Sequence, residues 1–274
     1  VPEEAPAIAP LDVGTLTDQG TERGHNEDAV GSVLEGPSSA IVAVADGVSS
    51  AEAGEVASRM AIDVVLREVS AAPRTRRPGD RLYRAFQQAN IEIYDKAVAV
   101  PELRGMTTTL TAVAVEAGEL TIVHVGDSRV YLVRDRHIVQ LTKDHTAAAE
   151  RARLGLLSRE KARTHPDRGV LTRSVGRELI VSRDRISSTL QEHDILLLCT
   201  DGLYNVLEDN ELATLVEAKN AQDGCRALID AANARGTGDN LSAAIIRVTG
   251  PVPKRPKARG ILGSLKRLFG VGGR

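Results

Sequence analysis

The chain has 274 residues, 42% of them hydrophobic, and a formal net charge of −2, a balance that suits a folded globular protein and excludes a disordered or repetitive one. Aromatic residues make up 2%, with no Trp, so neither a base-stacking platform nor a nucleic-acid surface is supported, and the core must be built from Leu, Val, Ile and Ala. Two cysteines, Cys199 and Cys225, are too few for a disulfide framework or a thiolate metal site, and their apolar surroundings suit small core residues. No stretch approaches the ~20 apolar residues of a membrane span and no signal peptide is evident, so the expected compartment is the cytoplasm.

Residues 1–9 are Pro- and Ala-rich and are expected to be flexible, and 11–16 suit an edge strand. The polar stretch TDQGTERGHNEDAV (17–30) would alone pass for a solvent loop, with a strand beginning near Ala29. Ile41 to Ala45 then form a continuous apolar run closed by Asp46-Gly47, the pattern of a buried strand ending in a turn. Ser49 and Glu52 are spaced as a capping box for a helix over 52–70, whose stripe is Val56, Met60 and Val64 with Ala57 and Ala61 beside it. PRTRRPGD (73–80) fits a solvated connection or a weak phosphate patch, and Leu82, Ala85, Phe86, Ala89 and Ile93 mark a second helix over 80–98, antiparallel to the first.

From residue 106 the period shortens. Strands are expected near 107–115, 120–125, 129–133 and 137–141, a meander with turns at Glu116-Ala117-Gly118, Gly126-Asp127-Ser128 and Arg134-Asp135-Arg136. His124 lies inside an apolar strand, as a packed core histidine would. Residues 143–176 are charged and irregular and suit a lid, and His145 and His165 share no ligand spacing for zinc. Strand returns over 185–200, where Ile195 to Thr200 run into Asp201-Gly202. Helices over 208–217 and 221–234 form a second pair, and Asp239-Asn240 precedes a last strand at 241–248. Strand runs between helix pairs predict an α+β domain of two sheets back to back with a helix pair on each outer side. Asp28, Asp46, Asp127, Asp201 and Asp239 all fall at strand ends or turns, and five carboxylates gathered together would repel one another unless cations neutralised them.

The order of motifs resembles the PPM (PP2C-like) metal-dependent serine/threonine protein phosphatases, especially the compact bacterial ones. The matching pieces are Arg23…Asn26-Glu27-Asp28, Asp46-Gly47, Gly105-Met106-Thr107-Thr108-Thr109-Leu110 and Val125-Gly126-Asp127-Ser128-Arg129. They continue with Lys143-Asp144-His145, Leu171-Thr172-Arg173-Ser174-Val175-Gly176, Thr200-Asp201-Gly202-Leu203 and Gly238-Asp239-Asn240. Each alone is a common turn, whereas eight in order across residues 10–248 are specific. The resemblance implies a four-layer αββα sandwich with two mainly antiparallel central sheets, and a phosphatase domain over 10–250 with its flap at about 146–168. It assigns Asp28, Asp46, Asp201 and Asp239 to metal binding, with Asp46 bridging two ions and the Gly47 carbonyl as a further ligand. Asp127 would join Asp201 at a third, weaker metal, Glu27 would orient water, and Arg23 would grip the phosphate. Two Mn²⁺ or Mg²⁺ ions suit such an oxygen-only set, and the implied reaction is attack of a metal-activated water on a phosphoserine or phosphothreonine without a covalent intermediate.

Several positions depart from the family pattern. Val48-Ser49-Ser50 stands where relatives often have His or Met followed by Gly-Gly, and Val48 cannot donate a proton to the leaving group. Thr107 replaces a frequent Gly, and Ser174-Val175 replaces Ala-Leu. The expected partners are phosphorylated proteins, a Ser/Thr kinase and its substrates, approached by a monomer with no role for nucleic acid. Two other functions fit the same residues: a phosphoprotein-binding module without turnover, and a small-molecule phosphate monoester hydrolase. Residues 251–274 carry seven Lys or Arg and no acid. There a Pro- and Lys-rich linker leads to Ile261, Leu262, Leu265, Leu268 and Phe269 at amphipathic helical spacing, suited to an anionic membrane, a partner groove or a solubilising terminus.

Overall fold

The computed structural model of the protein describes residues 10–48 and 52–252. Ten strands form two five-stranded antiparallel sheets. One has the order β1 (Leu11–Asp18), β10 (Leu241–Val248), β9 (Ile195–Cys199), β6 (Arg129–Arg134), β7 (His137–Gln140). The other has the order β2 (Asp28–Leu34), β3 (Ser39–Asp46), β4 (Leu110–Glu116), β5 (Glu119–Val125), β8 (Asp184–Thr189).

The central strands are apolar on both faces because both faces are covered. Along β3, Ile41, Ala43 and Ala45 pack with the helical layer of α1 (Glu52–Ala71) and α2 (Pro78–Ala99), while Val42 and Val44 face the opposite sheet. Along β9, Ile195, Leu197 and Cys199 join the second helical layer, and Leu196 and Leu198 enter the space between the sheets. That layer holds α5 (Asp201–Tyr204), α6 (Asp209–Leu215) and α7 (Ala221–Ala234). A side-chain period of two therefore sorts each continuous run into two separate cores, giving the expected αββα order. Both cysteines lie fully buried, Cys199 and Cys225 alike.

Four readings of the sequence change. The predicted meander over 107–141 is not one sheet: β4–β5 and β6–β7 are hairpins in different sheets, and the chain crosses between them at Gly126-Asp127-Ser128. Both hairpin turns have paired positive φ values (Ala117 and Gly118, Asp135 and Arg136), whereas the crossing turns on Gly126 at φ 111°. The first of these strands begins only at Leu110, because Thr108 instead bridges Gly47 and Val175. The stretch 185–200 is likewise two strands, β8 and β9, one in each sheet. Helix α2 begins at Pro78, two residues early, where a proline suits the first helical turn. In the expected flap lie two short helices, α3 (Ala147–Arg153) and α4 (Arg159–Arg163), followed by a 3₁₀ turn at Pro166–Gly169. The capping-box reading at Ser49 and the readings of 1–9 and 253–274 fall outside the described residues.

Leu198 is fully buried between the sheets. Leu198→Ala should cost about 2–5 kcal/mol of unfolding free energy, read from urea denaturation, because the cavity opens between two layers that cannot collapse independently. A loss below about 1 kcal/mol would mean that the inter-sheet core is loosely packed.

Candidate metal centre

All five aspartates come to one end of the sandwich. Asp46 ends β3 and Asp28 begins β2, and they stand directly opposite each other in the β2–β3 register. Asp127 sits on the crossing between sheets, Asp201 opens α5 directly after β9, and Asp239 lies just before β10. Like charges directly opposed across a ladder are destabilising, so the register itself creates a demand for positive charge.

The glycines of the two Asp-Gly pairs are needed for close approach. A Cβ on Gly47 would overlap the Gly54 carbonyl of α1, and one on Gly202 would overlap the Asn240 carbonyl. The backbone around Asp46 is held by side chains of the Thr-rich segment: Thr109 Oγ1 accepts from the Asp46 amide at 2.9 Å, and Thr108 Oγ1 donates to its carbonyl at 2.8 Å. Thr200 donates to Asp28 Oδ2 at 2.7 Å, and the same hydroxyl accepts from the Ser242 amide at 3.0 Å. Buried Asn240 fastens the polar stretch 17–30. Its Oδ1 accepts from the Glu27 amide at 2.9 Å, and its Nδ2 donates to the carbonyls of Gln19 and His25, each at 2.8 Å.

Burial and mutual repulsion raise the carboxylates. Asp28, 7% exposed, is pushed up to about 7, chiefly by burial and further by Asp201 and Asp239, against the hydrogen bonds from Thr200 and Ser242. Asp201 is pushed up to about 6 by burial and then by Asp239, with Asn205, Arg23 and Arg129 opposing. Asp46 is held well above the usual range by burial, then by Asp28, Asp201, Asp127 and Asp239. Asp127 is raised by burial and by Asp201 and Asp144, against Arg129. Glu27 is also raised, by burial ahead of the opposing Arg23, and its Oε1 is buried without a hydrogen-bond partner.

Two arginines stand near this end. Arg23 donates from Nε to the Gly238 carbonyl at 3.1 Å and reaches Asp239 Oδ1 at 2.8 Å, while its other terminal nitrogen is 3.9 Å from Glu27 Oε2. Arg129 is committed elsewhere: it grips Asp144 through a fork, lies 3.6 Å over the Tyr204 ring, and donates to Tyr131 Oη. Tyr204 Oη in turn donates to the Asp127 carbonyl at 3.1 Å, so this pair supports the crossing loop. His124 behaves as the sequence suggested. Its Nε2 donates to the Lys143 carbonyl at 3.0 Å, so Nδ1 accepts from Thr111 at 2.8 Å, and burial lowers its pKa to about 4. The ring of His145 lies 4.7 Å from it, tilted by 34°, and its pKa is also lowered, by burial and then by Arg173.

Among the described residues, no group of three or more His, Cys, Asp or Glu side chains is placed to hold a metal ion as the structure stands. Mg²⁺ does not require one, because it keeps several waters and is held by one or two carboxylates. The oxygen-only donor set, the raised carboxylates and the unpartnered Glu27 oxygen fit such an ion. The sequence had marked Thr108, Thr109, Thr200 and Asn240 only as motif members. Each acts on a residue at least 62 positions away, so the sequence carried no signal for these positioning roles.

Residues 21–241 match the sequence profile of the protein phosphatase 2C family. The chain belongs to that family. A serine/threonine phosphatase of Listeria monocytogenes is 35% identical over 234 residues, covering 84% of this chain and 93% of the relative. The PPM phosphatase MsPP of Mycobacterium smegmatis, solved in complex with cacodylate, superimposes with a TM-score of 0.76 at 34% identity, covering 89% and 100% of the two chains. The catalytic domain of the phosphatase PstP, solved with two manganese ions, gives 0.77 at 29% identity and coverage of 88% and 99%. The protein is accordingly a metal-dependent protein-serine/threonine phosphatase of the PP2C type.

Folding raises Asp28 and Asp201 above their unfolded values, so their stabilising contribution in metal-free protein is whole below about pH 4 and is lost as pH passes through about 6 to 7. In chelator the thermal midpoint should therefore fall from about pH 5 to about pH 8, and Mn²⁺ or Mg²⁺ should restore it at the higher pH. A metal-free midpoint that rises over this interval would contradict carboxylate crowding.

Proposed function

We propose that Asp28, Asp46, Asp201, Asp239 and the Gly47 carbonyl hold two divalent ions, Mn²⁺ or Mg²⁺, with Asp127 and Asp201 serving a third and weaker one. When bound, the ions supply positive charge to the carboxylates and to the phosphate oxygens, and they acidify a water that can attack phosphorus. The observation that carries this assignment is the crowding of four further carboxylates about Asp46, of which, among the described residues, Asp239 alone is ion-paired, to Arg23. The preference for oxygen donors excludes thiolate-seeking metals, and both cysteines are buried and raised to about 12.

The protein's own residues divide the remaining work. Arg23 is anchored at Nε and at one terminal nitrogen, which leaves donors directed to solvent from a side chain 44% exposed. A fork so fixed matches a phosphate monoester. Glu27 keeps a buried, unpartnered oxygen that would accept a hydrogen bond from a water at the site and so orient it. Asp46 is fixed on three sides, by its strand, by Thr108 and Thr109, and by the Gly47 approach to α1, so little reorganisation is needed as the charge on the phosphate grows.

Val48 offers no proton. Its amide donates to the Thr107 carbonyl at 2.8 Å, and its carbonyl accepts from Thr107 Oγ1 at 2.8 Å, so its backbone is pinned at the mouth of the site. The leaving alkoxide takes its proton from solvent in this reading. The phosphatase unit spans residues 10–250, with the flap at about 146–168, and its substrates are phosphorylated proteins, such as a Ser/Thr kinase and that kinase's targets. The segment 251–274 keeps its basic character as a feature suited to an anionic surface. Among the described residues no helix is long and apolar enough to cross a membrane.

Hydrolysis of a phosphothreonine peptide should depend on Mn²⁺ or Mg²⁺, stop with chelator, and fall by more than about a hundredfold in Asp46→Asn. Absence of turnover with every metal in folded protein would defeat the enzymatic reading and favour a phosphoprotein-binding module. Val48→His should raise kcat on phosphothreonine peptide by about tenfold, while leaving p-nitrophenyl phosphate, whose leaving group needs no proton, nearly unchanged. Equal gains on both substrates would show that leaving-group protonation is not what Val48 withholds.

A further inference from the structure

A cleft of about 720 Å³ opens immediately beside Gly47, and its near wall is Val48 and Thr107. The C-terminal part of α2 forms a second wall through Tyr94 and Val98, and the segment leaving the flap forms a third through Val170. Val98 is 67% exposed and Val170 53%, unusual for branched apolar side chains that face a concave surface. Arg104 and Arg177 stand on the rim. Both are exposed, and neither guanidinium has a hydrogen bond or an ion pair among the described residues. The cleft lining contains no carboxylate.

Two uncommitted guanidiniums over an apolar floor, with no acid to satisfy them, complement a chain that brings anionic and apolar side chains together. The cleft also adjoins the aspartate site through Val48. Val48 is one residue from Gly47 and two from Asp46, and the paired hydrogen bonds with Thr107 keep it there. A polypeptide with its phosphorylated residue at the aspartates has to leave across this end of the protein.

We propose that this cleft is the subsite that reads the residues flanking the phosphorylated Ser or Thr, and that it selects acidic substrates. Apolar residues of the substrate lie on Val48, Val98 and Val170, and an anionic side chain nearby is held by Arg104 and Arg177. This rests on the phosphatase reading of the aspartate site and names its substrate class. The two arginines are specificity residues: they touch the flanking sequence and not the reacting phosphate. The anion they hold is either a carboxylate or a second phosphate, and the two are separable by experiment.

The test uses the full chain and four phosphothreonine peptides that differ only in their flanks: Gln on both sides, Glu on both sides, Lys on both sides, and Gln with one additional phosphothreonine. p-Nitrophenyl phosphate reports the reaction centre without flanks. The wild-type protein should give a KM for the Glu-flanked peptide about fivefold below that for Gln and further below that for Lys, with similar kcat, and the gap should narrow as salt rises. In the Arg104→Gln, Arg177→Gln double variant this order should flatten, while p-nitrophenyl phosphate turnover stays unchanged. A larger gain from the second phosphate than from Glu would identify phosphate as the anion held. Equal KM values across the wild-type series, or a preference for Glu that survives in the double variant, would overturn the subsite. Failure of the phosphatase reading itself would look different, because p-nitrophenyl phosphate and every peptide would then remain intact.

Discussion

The structure depends on an electrostatic conflict that its own strands create. Registering β2 against β3 places Asp28 opposite Asp46, and the turn of the chain into α5 and across the sheets adds Asp201 and Asp127. None of these can relax by moving outward. Each is attached to a strand or turn whose neighbours are packed on both faces, and interiors at crystal-like density do not deform to relieve one repulsion. Protonation is the protein's own remedy, seen in the raised carboxylates, and it is incomplete at neutral pH. Divalent cations are the remedy that also creates a reaction centre.

Holding such a site open requires that nothing else neutralise it, and the surrounding arginines are disposed accordingly. Arg129 lies close enough to lower Asp127 and Asp201, yet its fork is filled by Asp144 and its face by Tyr204. Arg23 reaches only Asp239, the member nearest solvent, and keeps a free edge. Around the carboxylates the stabilising contacts come instead from neutral groups: the donating hydroxyls of Thr108 and Thr200, and the Asn240 amide, which donates to the Gln19 and His25 carbonyls, accepts from the Glu27 amide, and so ties the 17–30 stretch to the start of β10. Neutral hydrogen bonds position a carboxylate without cancelling its charge, which is the property a cation site needs.

Much of this was legible from the sequence, and the limits are physical. Ile41–Asp46 and Ile195–Asp201 announce buried strands ending in acids because a run apolar on both faces has few other uses, and α1 and α2 announce themselves by a stripe of period 3.6. The division of 107–141 between two sheets was not legible. A hairpin has the same alternation whichever sheet it joins, and the crossing at Gly126-Asp127-Ser128 has the composition of any tight turn. The five aspartates were legible as acids at strand ends and turns, whereas their separate metal roles came only from the order of motifs. The roles of Thr200 and Asn240 needed coordinates, since each acts on a residue more than 170 positions away.

The departures from the family pattern are concentrated on one side of the site. Val48 and Thr107 looked independent in the sequence, but Thr107 supplies both the carbonyl and the hydroxyl that hold the Val48 backbone, and a glycine there could supply only the first. Ser174 lines the same cleft. The carboxylates themselves show no departure, because an oxygen-only cation site tolerates little variation in donor type. A cleft wall has no such constraint: its residues need only present an apolar surface, and changing them alters which chain lies comfortably beside the metals without disturbing the reaction. In a fold whose chemistry is set by ions common to a whole family, this wall is where one member can differ from another, and under the proposed reading Val48, which has no proton to give, serves substrate contact rather than the leaving group.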